Sequence, residues 1–182
     1  MKFIFGLGNP GKDYTKTRHN AGYLFIDHLI SELFGSQVNL KHNNKLEADL
    51  DKVQQLVVAK PAAFMNQSGR AVRKVVDYYD RVETVLANKQ LIVAHDDLDI
   101  KLGNCKLQFG TGPKVHNGLQ SIYQAISSDQ FWHLRLGIDA RHGDRTIPGD
   151  KYVLSNFFDE ERAQFDRSLS QALALLEQQN LI

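Results

Sequence analysis

A chain of 182 residues, 42% hydrophobic and 24% charged, has the make-up of one globular domain with room for a substantial core. A formal net charge of +1 excludes docking on a polyanion through overall charge, so such a partner has to meet a local basic surface. The single cysteine, Cys105, excludes an internal disulfide and a cysteine zinc site, and no apolar run approaches the roughly 20 residues that span a bilayer.

Lys2–Gly6 reads as a short buried strand, and the apolar run Phe3–Ile4–Phe5 is too short for a signal peptide, so a cytoplasmic location is expected. The strand opens the stretch FIFGLGNPGKDYTKTRHNAG (Phe3–Gly22), in which Gly6, Gly8 and Gly11 match the glycine spacing of a dinucleotide-binding turn. That turn requires its third glycine inside the helix that receives the pyrophosphate. Here Pro10 precedes Gly11, Lys12–Thr17 has no helical apolar period, and Asp27 falls inside the next helix instead of ending a second strand. The context therefore predicts no nucleotide cofactor. What remains is a strand, a glycine turn with Asn9 exposed at its tip, and His19 just before a helix. A helix N-terminus disfavours an imidazolium, so His19 is expected to be neutral and able to accept a proton.

Ala21–Phe34 carries a helical stripe of Gly22, Phe25, Ile26, Leu29 and Leu33, with Asn20 as its N-cap and Gly35 as its stop. Leu46–Asp51 and Val53–Lys60 predict a hairpin turned at Asp51–Lys52. In KPAAFMNQSG (Lys60–Gly69), Asn66 is the polar residue at a strand-to-helix junction, and Phe64 and Met65 read as core by spacing. Ser68–Tyr79 follows as a helix capped by Ser68, with Ala71, Val72, Val75, Val76 and Tyr79 facing the core.

Gln90–His95 is a second buried strand, and LIVAHDDLDI (Leu91–Ile100) places His95, Asp96, Asp97 and Asp99 at its carboxyl end, where α/β sheets bind ligands. Such acids suit Mg²⁺ or a turn, the latter being the default for Asp97 and Asp99. Asp96 beside a histidine is also suited to orienting the ring and stabilising its charged form. Cys105–Phe109 is a strand. GTGPKVHNGLQSI (Gly110–Ile122) is a glycine loop leading into a helix over His116–Ile126, with Asn117 as cap and free N–H groups that suit an anion. Trp132–Ile138 is a further strand, Asp139–Asp150 a mobile surface loop, and Glu160–Gln179 a long amphipathic helix. Strand–helix alternation plus a hairpin predicts a single α/β domain over residues 1–182, with a mixed sheet flanked by helices. Basic residues gather near these motifs at Lys12, Lys16, Arg18, Lys106, Lys114 and Arg135.

Four segments, GLGNPG..Y..TRHNAG, KP..FMN.SG, VAHDDLD and HNGL.SI, together resemble bacterial-type peptidyl-tRNA hydrolase in order and spacing, over nearly the whole chain. The resemblance implies a three-layer αβα fold around a twisted mixed sheet. It also implies hydrolysis of the ester joining a peptide to the 3′ ribose of tRNA, which recycles tRNA from stalled or prematurely terminated translation. His19 matches the family's catalytic histidine and Asp96 its supporting acid, while Asn9, Asn66 and Asn117 match the asparagines lining the site. Tyr14, Met65 and His116 match residues flanking the substrate, and Lys106 and Arg135 match basic positions associated with tRNA. No metal, cofactor, membrane or obligate protein partner is implied, and a monomer is expected.

An ester needs no protonated leaving nitrogen, so one base activating water suffices without a serine or cysteine nucleophile. Asparagine amides can stabilise the developing oxyanion. The chain departs from the family pattern at Pro113–Lys114–Val115, where glycines are usual, at Gln108, where a second basic residue is common, and at Ala63, where threonine is usual. GIDARHGDR also replaces the usual glycine–proline segment. These changes bear on loop conformation and tRNA contacts, leaving His19, Asp96 and the asparagines intact. Two other readings stay open: an RNA-binding protein without turnover, and an esterase or peptidase for small substrates.

Overall fold

Phe3 and Phe5 join one apolar cluster and Ile4 another, and all three are fully buried. A strand covered on both faces has to be apolar throughout, not alternating, and this one is central. In the computed structural model, which describes residues 1–182, it is β1 (Lys2–Gly6) of a seven-stranded sheet ordered β2-β3-β4-β1-β5-β7-β6. β4 (Leu56–Pro61), β1, β5 (Leu91–Lys101) and β7 (Trp132–Asp139) run parallel. β2 (Lys41–Asn43) and β3 (Ala48–Val53) extend one edge antiparallel, and β6 (Cys105–Phe109) closes the other antiparallel to β7.

Helices α2 (Ser68–Tyr79), α3 (Val82–Ala87) and α4 (Asn117–Ile126) cover the Phe3 and Phe5 side. The Ile4 side is covered by α1 (Ala21–Leu29) and α6 (Asp159–Gln178), with Val153 of the short α5 (Gly149–Val153). Each face holds 20 buried apolar residues, so neither is a minor layer and the fold is the expected three-layer αβα sandwich. No helix is long and apolar enough to cross a membrane.

β1, α2 and β6 fall where expected; other elements shift for local reasons. The hairpin turns at Gln54–Gln55, with Val53 opposite Leu56 and Gln54 in the left-handed region at φ 52°, not at Asp51–Lys52. The first helix ends its α-helical course at Leu29 and widens over Ile30–Phe34 before stopping at Gly35, whose φ is +51°. β2 and α3 add two elements that short polar or capless stretches conceal. The segment expected over Asp139–Asp150 is exposed from His142 to Pro148, its two arginines pair with Asp139, and its last two residues begin α5.

Candidate active site

β1 and β4 are neighbours, yet the helices that follow them, α1 and α2, leave to opposite faces of the sheet. A crevice opens at the carboxyl ends of such strands. α1 is drawn against the strand ends at Gly22, where an added Cβ would lie 2.3 Å from both Ala94 O and Leu7 N. The single tight turn Arg18–Asn20 that leads into α1 thereby hangs His19 over a cleft of ≈ 840 Å³. The cleft is also lined by Asn9, Tyr14, Met65, Asn66, Asp96, His116 and Asn117.

His19 Nδ1 lies 2.8 Å from Asp96 Oδ1, and His116 Nε2 lies 3.0 Å from the same oxygen. The Leu119 N–H donates to His116 Nδ1 at 3.3 Å, so the His116 ring proton sits on Nε2 and is donated to Asp96. The ionised carboxylate only accepts, which puts the His19 proton on Nδ1 and leaves a lone pair on Nε2. His19 keeps 11% of its side chain exposed against 3% for Asp96 and His116, so it is the ring that opens on the cleft. The three donor atoms lie within 4.8 Å of one another, a spacing a metal ion can use. Both ring N–H groups are nevertheless aimed at one carboxylate oxygen and not at a common centre, an arrangement that holds protons.

Burial disfavours the charged form of His19, but the Asp96 charge and its hydrogen bond outweigh burial and raise the pKa above 6.5. The downward push expected at the helix N-terminus is therefore not the net result: the buried anion dominates. Burial likewise pushes the Asp96 carboxyl up, yet His19 and His116 hold it far below its ordinary value. Behind His116 stand His95, fully buried at a ring separation of 5.2 Å, and then His133 at 5.7 Å from His95. Burial lowers both, His133 to about 4, so this backing is neutral.

Asn9 is buried, not exposed at a tip. Its backbone N–H donates to Asn20 Oδ1 at 2.9 Å, its carbonyl accepts from Asn20 Nδ2 at 3.0 Å, and its Oδ1 accepts from Met65 N–H at 2.8 Å. Only the amide nitrogen of Asn9 is left for the cleft. Asn20 thus occupies the N-cap position of α1 but spends its side chain as a clamp on Asn9, Ser68 donates to Met65 O instead of capping α2, and His116, not Asn117, caps α4. Asn66 and Asn117 are exposed on the cleft wall, Tyr14 is half-buried on its rim, and Met65 is buried beneath it. Phe64 is no core residue: it stands exposed at the mouth with Val115, part of the departure from the family pattern, and with Leu154, which nothing in the sequence pattern singles out.

The basic positions divide. Arg135 is buried outside the cleft lining, donating to Asp97 Oδ2 and to Gln108 Oε1 at 2.7 Å each, so Asp97 is an ion-pair partner as well as a turn acceptor for Asp99 N–H. Lys106 is its exposed cross-strand neighbour, also outside the cleft. Arg18 is a buried strut: it bonds Ser155 Oγ, Asn156 O and Glu161 and lies over the Tyr152 ring. Lys114 lines the cleft, whereas Lys12 and Lys16 are exposed beyond it.

The family model described as peptidyl-tRNA hydrolase matches residues 3–180. The chain is 34% identical over 177 residues to the peptidyl-tRNA hydrolase of Ligilactobacillus salivarius, covering 97% of this chain and 91% of that one. It is 42% identical over 180 residues to that of Geotalea uraniireducens, covering 97% and 88%. A crystal structure of a point mutant of the Acinetobacter baumannii peptidyl-tRNA hydrolase superposes with a TM-score of 0.82 at 30% identity, covering 100% of this chain and 90% of that one.

Proposed function

The chain belongs to the peptidyl-tRNA hydrolase family and hydrolyses peptidyl-tRNA, and we propose that it does so by direct attack of water with His19 as general base. His19 Nε2 takes a proton from water held in the cleft, and the oxygen attacks the ester carbonyl carbon. The resulting imidazolium is stabilised by Asp96, which also fixes the tautomer that leaves Nε2 free. The free amide nitrogen of Asn9 stabilises the tetrahedral oxyanion, and Asn66 and Asn117 hold the peptide backbone. Collapse breaks the bond to the 3′ oxygen, which takes the proton back from His19, releasing tRNA and a peptide carboxylic acid that loses the second water proton to solvent.

The observation that carries this reading is the His19–Asp96 pair, 2.8 Å apart and opening on the cleft that the asparagines line. Tyr14, Met65 and His116 flank the ester on this account, with no cofactor and no metal in any step. The enzyme acts as a monomer in the cytoplasm, a reducing compartment that suits its lone thiol at Cys105. The test is release of N-acetylated amino acid from N-acetylated aminoacyl-tRNA by chelator-treated protein, with His19→Ala alongside. Rapid release that collapses in the variant is expected. Release that persists in His19→Ala would refute the mechanism, and loss on chelation would refute metal independence.

A further inference from the structure

A net charge of +1 means that tRNA has to be met locally, and two of the arginines nearest the motifs are committed elsewhere. Arg18 is buried in the fold, and Arg135 is paired with a carboxylate, Asp97, whose side chain is wholly buried. A second depression, of ≈ 480 Å³, lies between α2 and α4. Arg70, Arg73 and Lys74 line it from α2, spaced i, i+3 and i+4 and so stacked on one flank of the helix. Ser121 and Gln124 face them from α4, and no carboxylate belongs to the lining. Asn66 and Gln67 line this groove and the catalytic cleft alike, so the two adjoin.

The acids that hold these cations sit outside the groove. Arg70 Nε and Lys74 Nζ contact Glu47 at 2.5 and 3.0 Å, and Arg73 contacts Asp77 at 2.5 Å and Glu83 at 3.8 Å. The three cationic side chains stay 57%, 40% and 39% exposed, so these are surface pairs that order the cations with little net attraction. A phosphate diester competes well for such guanidinium forks. The groove therefore offers ordered cations and amide donors beside the cleft that His19 lines.

We propose that the groove between α2 and α4 binds backbone phosphates of the tRNA strand that carries the ester. This rests on the reading of the cleft as the site of tRNA-ester hydrolysis. Deacylated tRNA is the probe, with its affinity measured from about 50 to 200 mM salt. Each lost phosphate contact removes about 0.7–0.9 from the slope of log K against log salt, so Arg73→Gln/Lys74→Gln should flatten it by about 1.5. Binding at the low-salt end should weaken on the order of tenfold. Arg162→Gln/Arg167→Gln makes the same charge change on α6, across the sheet, and should leave the slope unaltered. Glu47→Gln frees Arg70 and Lys74 and should tighten binding.

A wild-type slope in Arg73→Gln/Lys74→Gln, or equal flattening by the α6 pair, would overturn the proposal. So would a loss confined to Lys106→Gln, which would put the phosphates at the β6 edge. Failure of the parent reading looks different: wild-type protein would release no acylated amino acid from N-acetylated aminoacyl-tRNA, whatever the salt slopes.

Discussion

Asn9 presents a single donor to the cleft because its other hydrogen-bonding atoms are taken by Asn20 and Met65. A fixed amide needs no reorganisation when the oxyanion forms, so Asn9→Ala is expected to cost about 10²–10³ in kcat, measured on N-acetylated aminoacyl-tRNA. A loss below tenfold would remove Asn9 from that role. Asn20→Ala leaves the buried Asn9 N–H without its acceptor and should destabilise the fold by about 1–3 kcal/mol in denaturant titration. His19 and Asp96 were legible because they fall in motifs. The clamp by Asn20, and the sharing of one Asp96 oxygen by His19 and His116, were not. Those bonds join residues 11, 77 and 20 positions apart, and only the folded chain brings them together.

α2 could be read from residue to residue because its 3.6-residue apolar period, Ala71, Val72, Val75 and Val76, meets the core without interruption. The hairpin turn could not, since Gln54 takes a left-handed conformation that its side chain does nothing to announce. β5 runs on to Lys101 through three aspartates because His19, His116 and Arg135 pair with two of them, so polar residues continue a buried strand. Two contacts fix the His19 turn at this scale. Gly22 allows α1 to touch the strand ends, and Gly22→Ala should cost about 1–3 kcal/mol and reduce activity, followed by thermal unfolding and turnover. Arg18 ties the same turn to Ser155–Glu161; Arg18→Ala removes its bonds to Ser155, Asn156 and Glu161 and should cost about 3 kcal/mol. Wild-type stability in either variant would contradict this account of how His19 is positioned.

The sheet makes the molecule one cooperative unit, because β1 contributes Phe3 and Phe5 to one core and Ile4 to the other. Phe5→Ala should lower stability by about 3–5 kcal/mol, with Trp132 fluorescence and far-UV circular dichroism still changing together; separate transitions would show the layers to be independent. With His19 as the general base, its contributions to stability and to activity are expected to respond to pH in opposite senses. The raised His19 contributes stability that is full below its ordinary value of 6.5 and is lost as pH rises through its folded-state pKa. The depressed Asp96 contributes stability that is present above 3.8 and is lost as pH falls through its folded-state pKa. Catalysis by His19 as the general base requires it neutral, so the rate is expected to climb where the His19 part of that stabilisation declines.

The most direct test of His19 as a base tuned by Asp96 is the pH dependence of kcat/KM on N-acetylated aminoacyl-tRNA, for wild type and Asp96→Asn. The wild-type acid limb should have its midpoint above 6.5. In Asp96→Asn burial acts on His19 unopposed, so the midpoint should move to lower pH while the plateau falls by about 10²–10⁴. An unmoved midpoint, or a rate that rises toward acid, would contradict the mechanism.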